Sequence, residues 1–471
     1  MTYVPVASPV ALDDEQSGSF FEPLRARLAG ALILPDSLFY DEARKVQDVT
    51  LDRMPQAIVA ATNAYDVAAA VDFARDNDLP LAVRSGGHSL AGLSMVDGAL
   101  VVDLSAMKQI KIDPQTRVAR VGAGTTSGDL SGPAQRHGLA LTTGDTATVG
   151  LGGLTTGGGI GYMVRKYGLT IDSLLSAEVV TASGEIVTAS PTSHPDLFWA
   201  IRGGGGNFGI ITEFTYRLAP VGQILGGDLM LPATRDVVRG YLEYSSSAPD
   251  ELSTIGNIIL APPAPFVPEE WVGKPVLSII VAWAGDIDAG QRAVDNFRAL
   301  ATPVADTLRP MPYPDIYLST AHQEMRHGFA MRSMFADELS DETLDTYIAA
   351  IENTSSPYSL IHLRGLGGAL ARVPADATAF AHRQRRYLAA VIAVWLDPEE
   401  DPAPHRAWTE AAWQQTRHHS KGVYVNFLTD DGPSRLLEAY PQETLARLAG
   451  IKRLYDPTNL FRFNQNINAG P

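Results

Sequence analysis

A chain of 471 residues with 45% hydrophobic and 19% charged side chains has room for two or three domains and a large core, and it lacks the charge excess of a disordered chain. Its net charge of −16 disfavours a nucleic-acid surface, which needs a basic face to neutralise phosphates. The absence of cysteine excludes disulfides, thiolate metal sites and cysteine nucleophiles.

From the N-terminus, Met1–Gln16 has no basic segment followed by an apolar run, so no leader is expected and the cytoplasm is the expected location. Nowhere do about 18 apolar residues run uninterrupted, so no membrane span is expected. Asn63 is placed to cap a helix, with Asp66 three residues on and Val67, Ala70, Val71 and Ala74 on one face. Leu79-Pro80 ends it, and Leu81-Ala82-Val83 reads as a buried strand.

The first glycine cluster, Arg84-Ser85-Gly86-Gly87-His88-Ser89, follows that strand. Adjacent glycines let backbone N–H groups approach a pyrophosphate, and the arginine adds charge. A tight turn with an incidental histidine is the other reading. Leu100–Val102 and Val118–Val121 are further strands. Gly122-Ala123-Gly124-Thr125-Thr126-Ser127-Gly128 nearly imitates a dinucleotide fingerprint, but its last glycine comes one residue late.

The second cluster, Thr148 to Gly161, holds seven glycines in fourteen residues. Ordering so many glycines is costly, as where backbone lies flat against a planar or phosphorylated ligand. Leu151, Leu154 and Ile160 interrupt it as a packed segment would. A hairpin is expected from Glu178 to Ala189, turning at Ser183-Gly184. The third cluster, Arg202 to Gly209, enters the strand Ile210-Ile211-Thr212-Glu213-Phe214.

Glycine thins out from about residue 221 to 420, and Ala261–Pro265 is a loop. His322, Glu324 and Arg326 read as a helix surface and His418-His419 as a solvated pair. No metal-ligand spacing is present. Tyr358 to Arg364 reads as a strand with His362 and Arg364 on one face. They form either a general base beside an anion or carbonyl clamp, or a solvent-facing polar edge. Tyr424 to Phe427 is strand-like, which would put Tyr424 and Asn426 on one face. A helix over Pro441–Leu448 and a tail with Asn464-Gln465-Asn466 complete the chain.

Together these marks resemble the vanillyl-alcohol-oxidase superfamily of FAD enzymes, in the branch related to berberine bridge enzyme. The resemblance runs almost continuously from Val83 to Leu218, through Arg165–Leu169, Asp172 and Asp196–Ala200. It returns at Tyr424–Phe427 and Tyr455–Arg462. It implies an α+β fold: a PCMH-type FAD-binding domain of two α/β subdomains, and a substrate domain whose antiparallel sheet is backed by helices. Boundaries are expected at 1–220 and 421–471 for the FAD part and 221–420 for the substrate part.

The resemblance also implies FAD bound covalently through His88. The cofactor site would take Arg84, Ser85, Gly86, Gly87, Ser89, Thr148, Val149, Gly150, Gly153, Gly158, Gly161, Ile211, Tyr424, Asn426, Asn464 and Asn466. Some relatives add a cysteine link where this chain has Thr146, so attachment is single, as in the bacterial branch that includes 6-hydroxy-D-nicotine oxidase. Val149 goes with oxygen access in that family, so an oxidase yielding H₂O₂ is implied. Phe427 stands where alcohol- and sugar-oxidising relatives hold a tyrosine base. The chain either uses another base, with His362 or Tyr424 as candidates beside Arg364 and Asn426, or has a substrate that needs none. The expected partners are a small alcohol or amine and O₂, with the protein a monomer or homodimer. The alternatives are an oligosaccharide oxidase and a flavinylated protein without turnover.

Overall fold

The computed structural model describes residues 14–429 and 433–468, so Met1–Gln16 lies outside the described residues up to residue 13, as does the side chain of His322. Short apolar runs build the first sheet. Leu81–Arg84 and Ala57–Ala60 flank Leu100–Asp103, both parallel to it, and Ala31–Ile33 closes the edge antiparallel. The crossover between the parallel strands is the helix Ala64–Asp76, whose first N–H groups bond to the Asn63 side chain. Its face of Val67, Ala70, Val71 and Ala74 is buried.

The second sheet is antiparallel, in the order Ile110–Asp113, Val118–Gly122, Ile210–Arg217, Leu174–Val180, Ile186–Ala189. The hairpin turns at Gly184, which has a positive φ. The strand before Gly122 has only antiparallel neighbours. A dinucleotide fingerprint needs a parallel βαβ unit, so the near-match there is incidental.

The third sheet has eight antiparallel strands between Gln223 and Trp395. Period-two alternation gives it two different faces. Leu229, Leu231, Leu277, Ile279, Ile361 and Leu363 pack on a core shared with the helices Arg235–Ser247, Ile287–Arg298, Asp341–Glu352 and Ala403–Thr416. Asp228, Met230, Ser278, Ile280, Asn257 and His362, one residue out of phase, line a cavity. This is the mixed helix-and-sheet architecture that the resemblance implies.

The C-terminal segment returns to the first two sheets. Val423, Val425, Leu448, Ile451 and Phe461 share a core with Val59, Val102 and Phe214. Lys452 is fully buried, donates to the carbonyls of Asn207 (2.8 Å) and Phe461 (2.9 Å), and pairs with Asp456 at 2.6 Å. Asn207 in turn accepts from the Ile467 N–H at 2.9 Å, stitching the tail to the third glycine cluster. Two expectations change. The helix after Pro441 runs to Tyr455. The strand expected at Tyr424 is instead a 3₁₀ turn, Val425–Phe427. The Phe427 N–H bonds to the Tyr424 carbonyl, so the backbone curls there instead of joining a ladder.

Candidate functional site

A cavity of about 1000 Å³ lies between the glycine clusters and the inward face of the third sheet. Its floor depends on two loops touching backbone to backbone. A Cβ on Gly86 would fall 2.3 Å from the Gly150 nitrogen, and one on Gly150 would fall 2.4 Å from the Gly86 nitrogen. Only glycine at both positions permits that approach. Around Gly153 and Gly206, by contrast, a Cβ would meet nothing within 4 Å. Both glycines line the cavity and present open backbone to it.

Many residues singled out in the sequence converge here. Ser85, Gly86, Gly87, His88 and Ser89 line the cavity, with Val149, Gly150, Gly153, Ile211 and Asn464. Tyr424, Asn426 and His362 line it from the other elements. Burial, and then the neighbouring His327, push the His88 imidazole down to about 4, so it is neutral at physiological pH.

Others sit behind the wall. The Arg84 guanidinium is tied to the Asp103 carboxylate and to the carbonyls of Ala43 and Lys45. It braces the loop before the first cluster and does not reach the cavity as a phosphate clamp. Gly158 packs against the rings of Phe380 and Tyr424, and a Cβ on Gly161 would strike the Thr143 carbonyl. Thr148 and Asn466 are also off the cavity wall, and each holds a buried side-chain oxygen without a partner, as does Asn464.

The turn at Tyr424 replaces the expected strand face with a direct contact. The Tyr424 hydroxyl accepts from the Gly159 N–H at 2.9 Å and from Asn426 Nδ2 at 2.9 Å. Its own hydrogen is left for another acceptor. Burial raises this phenol above its ordinary pKa, against the pull of those donors. Phe427 lies with its ring centroid 5.2 Å from Tyr424 and 6.2 Å from His362.

On the sheet, His362 and Arg364 share a face but not a role. Arg364 is buried and pairs with Asp145 at 2.7 Å, so Asp145, not Arg364, meets the cavity. His362 Nδ1 is 3.1 Å from Asn257 Oδ1, and its Nε2 is buried without a partner. Burial, and then the Arg364 charge, push His362 down to about 3. The near-neutral basicity expected of it is therefore lost to desolvation.

Sequence reasoning missed Asp145, Asn257 and Asp228. Asn257 and Asp228 each interrupt an apolar strand at an inward position, a signal the pattern does carry. Asp145 has no such mark, because its partner lies 219 residues away.

Comparison with known proteins gives a consistent result. A family model described as an FAD binding domain matches residues 55–190, and one described as berberine and berberine like matches residues 423–468. The chain is 31% identical over 458 residues to (R)-6-hydroxynicotine oxidase of Paenarthrobacter nicotinovorans, spanning 94% of this chain and 97% of that one. It is 31% identical over 464 residues to the uncharacterised FAD-linked oxidoreductase YgaK of Bacillus subtilis, spanning 94% and 98%. Among solved structures, 6-hydroxy-D-nicotine oxidase from Arthrobacter nicotinovorans superposes with a TM-score of 0.83 at 27% identity, covering 94% of this chain and 98% of that one. Physcomitrella patens BBE-like 1 gives 0.85 at 25% identity, covering 96% and 99%.

Proposed function

The chain belongs to the berberine and berberine-like family of FAD-linked oxidoreductases, and from that premise we propose an oxidase of a small alcohol or amine, with FAD attached through His88 alone. The observation that carries this reading is the single cavity joining His88, Val149 and Tyr424 to His362 on the substrate side. The residues present fit the cofactor. The Gly86–Gly150 contact leaves a flat backbone floor, and on the cavity wall the buried Asn464 Oδ1 has no partner. Bound FAD supplies a hydride acceptor that dioxygen reoxidises with release of hydrogen peroxide.

The protein's own groups then have distinct tasks. Neutral His88 keeps a nitrogen lone pair free to form a covalent link, and the absence of cysteine leaves no second attachment. Val149 keeps a small side chain at the wall, which supports oxygen access. We read residues 1–220 and 421–471 as the cofactor part and 221–420 as the substrate part, in a protein that works in the cytoplasm.

His362 is a weak base, since its conjugate acid loses its proton near 3. Phe427 has no proton-accepting atom. An alcohol therefore finds little help in losing its proton. A neutral amine needs none, because its lone pair stabilises the cation left by hydride loss. The apolar wall of Met230, Ile280, Met311, Phe329 and Met331 supports a compact apolar substrate over an oligosaccharide.

A peroxide-coupled screen of alcohols, sugars and cyclic amines against purified protein tests the reaction. Substrate-dependent peroxide is expected, and flavin reduction without peroxide in air would reject the oxidase reading. Intact mass should exceed the polypeptide by one FAD. His88→Ala should release all its flavin on acid precipitation, and colour that stays with the precipitated variant would reject attachment through His88.

A further inference from the structure

One polar row crosses the inward face of the third sheet. Strand register sets Met230 opposite Ser278, Ser278 opposite Asn257, and Asn257 opposite His362. Asp228 lies two residues before Met230 on the same face, opposite Ile280. Its carboxylate accepts from the Ser319 hydroxyl at 2.7 Å and from Ser278. Burial pushes its carboxyl above the ordinary carboxylate range against those two hydroxyls, and no ion pair joins it to a cation among the described residues. Asp145 in the same cavity is different, because Arg364 neutralises it. A carboxylate withdrawn from water without a counter-charge is costly, and binding a cation relieves that cost.

His362 makes a second, independent observation. It is only 6% exposed, lines the cavity, and leaves Nε2 without a partner. The carbonyl oxygen of Asn257 can only accept, so Nδ1 carries the proton and Nε2 presents a lone pair. The row therefore offers the cavity two acceptors, one of them anionic, set among Met230, Ile255 and Ile280. The complement of that surface is a positive hydrogen-bond donor on an apolar body.

We infer that the substrate is a primary or secondary amine with an apolar aryl or alkyl body, held at its nitrogen by Asp228, which pairs with the ammonium form and takes its proton so that the neutral amine is left to give up hydride, with His362 Nε2 accepting a further hydrogen bond from it. This rests on the oxidase reading above and narrows its substrate class. Asp228 is the specificity-determining residue in it.

The test is calorimetric and needs no turnover. Flavin-loaded enzyme, reduced with dithionite and kept free of oxygen, is titrated with amines and their matched alcohols. The pairs are 4-phenylbutylamine with 4-phenylbutan-1-ol, and hexylamine with hexan-1-ol. At least one amine should bind roughly tenfold or more tightly than its alcohol, the scale of a charge-assisted hydrogen bond. Asp228→Asn should erase that preference while alcohol affinity stays within about twofold, and Asp228→Glu should keep most of it. If no amine exceeds its alcohol, or if Asp228→Asn leaves the preference intact, the inference falls. The wild-type comparison stands as the test should Asp228→Asn fail to fold. Failure of the underlying oxidase reading looks different, as a protein without bound flavin or one that no screened compound reduces.

Discussion

At the scale of single residues, burial sets what each group can do. His362 illustrates it. An imidazole near 3 in the folded state and near 6.5 in the unfolded chain is neutral when folded and protonated when unfolded between those values. Its contribution to stability is therefore present above pH 6.5 and is lost as pH falls from 6.5 toward 3. His362→Gln should flatten the pH dependence of unfolding in that window by roughly 1 kcal/mol per pH unit, measured by urea titration at several pH values. In catalysis the same change should raise KM several-fold and leave kcat within about threefold, because a weak base that orients substrate is not the proton acceptor. A drop of about 10²-fold in the rate of flavin reduction would instead restore His362 as general base. Val149 lines the cavity with a short side chain. Val149→Leu should slow reoxidation of reduced enzyme in air while sparing its reduction, read by stopped-flow absorbance. Equal oxidative rates would remove the support Val149 lends to oxygen access.

At the scale of elements, the glycine clusters act as surfaces and not as flexible linkers. Gly86 and Gly150 approach so closely that either loop fixes the other. Gly86→Ala should push the loops apart, lower the flavin content of purified protein and cost about 1–3 kcal/mol of stability. The flavin-to-protein absorbance ratio and a thermal melt check this, and full flavin loading with unchanged melting would contradict it. The turn at Tyr424 works in the opposite direction. It shows little local pattern, yet it brings the Tyr424 hydroxyl against Gly159 and Asn426 against the Leu154 carbonyl, at 2.9 Å and 3.1 Å. A period-two reading of Tyr424–Phe427 fails there because Phe427 bonds back to Tyr424 instead of to a neighbouring strand.

At the scale of the whole molecule, the C-terminal segment is held to the third glycine cluster by buried polar contacts. Lys452 and Asp456 are both fully buried, and Asp456 also accepts from the N–H groups of Leu460 and Phe461 at 2.8 Å. Asp456→Asn leaves a buried ammonium without its counter-ion and should cost about 3–5 kcal/mol, with weaker flavin retention, by denaturant titration and absorbance. Stability within 1 kcal/mol of wild type would show that the ion pair does not tie the tail down. Among the described residues no helix is long and apolar enough to cross a membrane. By itself the sequence determined the strands around the first and third glycine clusters, the cap at Asn63, the mixed helix-and-sheet class and the family, because each rests on local periodicity or on motifs a few residues long. It also marked His88, Tyr424 and Asn426 as residues of one site, through motifs at opposite ends of the chain. Tertiary structure alone decided that Arg84 faces Asp103, that Arg364 is neutralised by Asp145, and that His362 loses its basicity. It alone set Asp228 beside Ser319 and Ser278, with no ion pair to it among the described residues. Those outcomes depend on burial and on pairs tens to hundreds of residues apart, and neither quantity is written in the order of side chains along a strand.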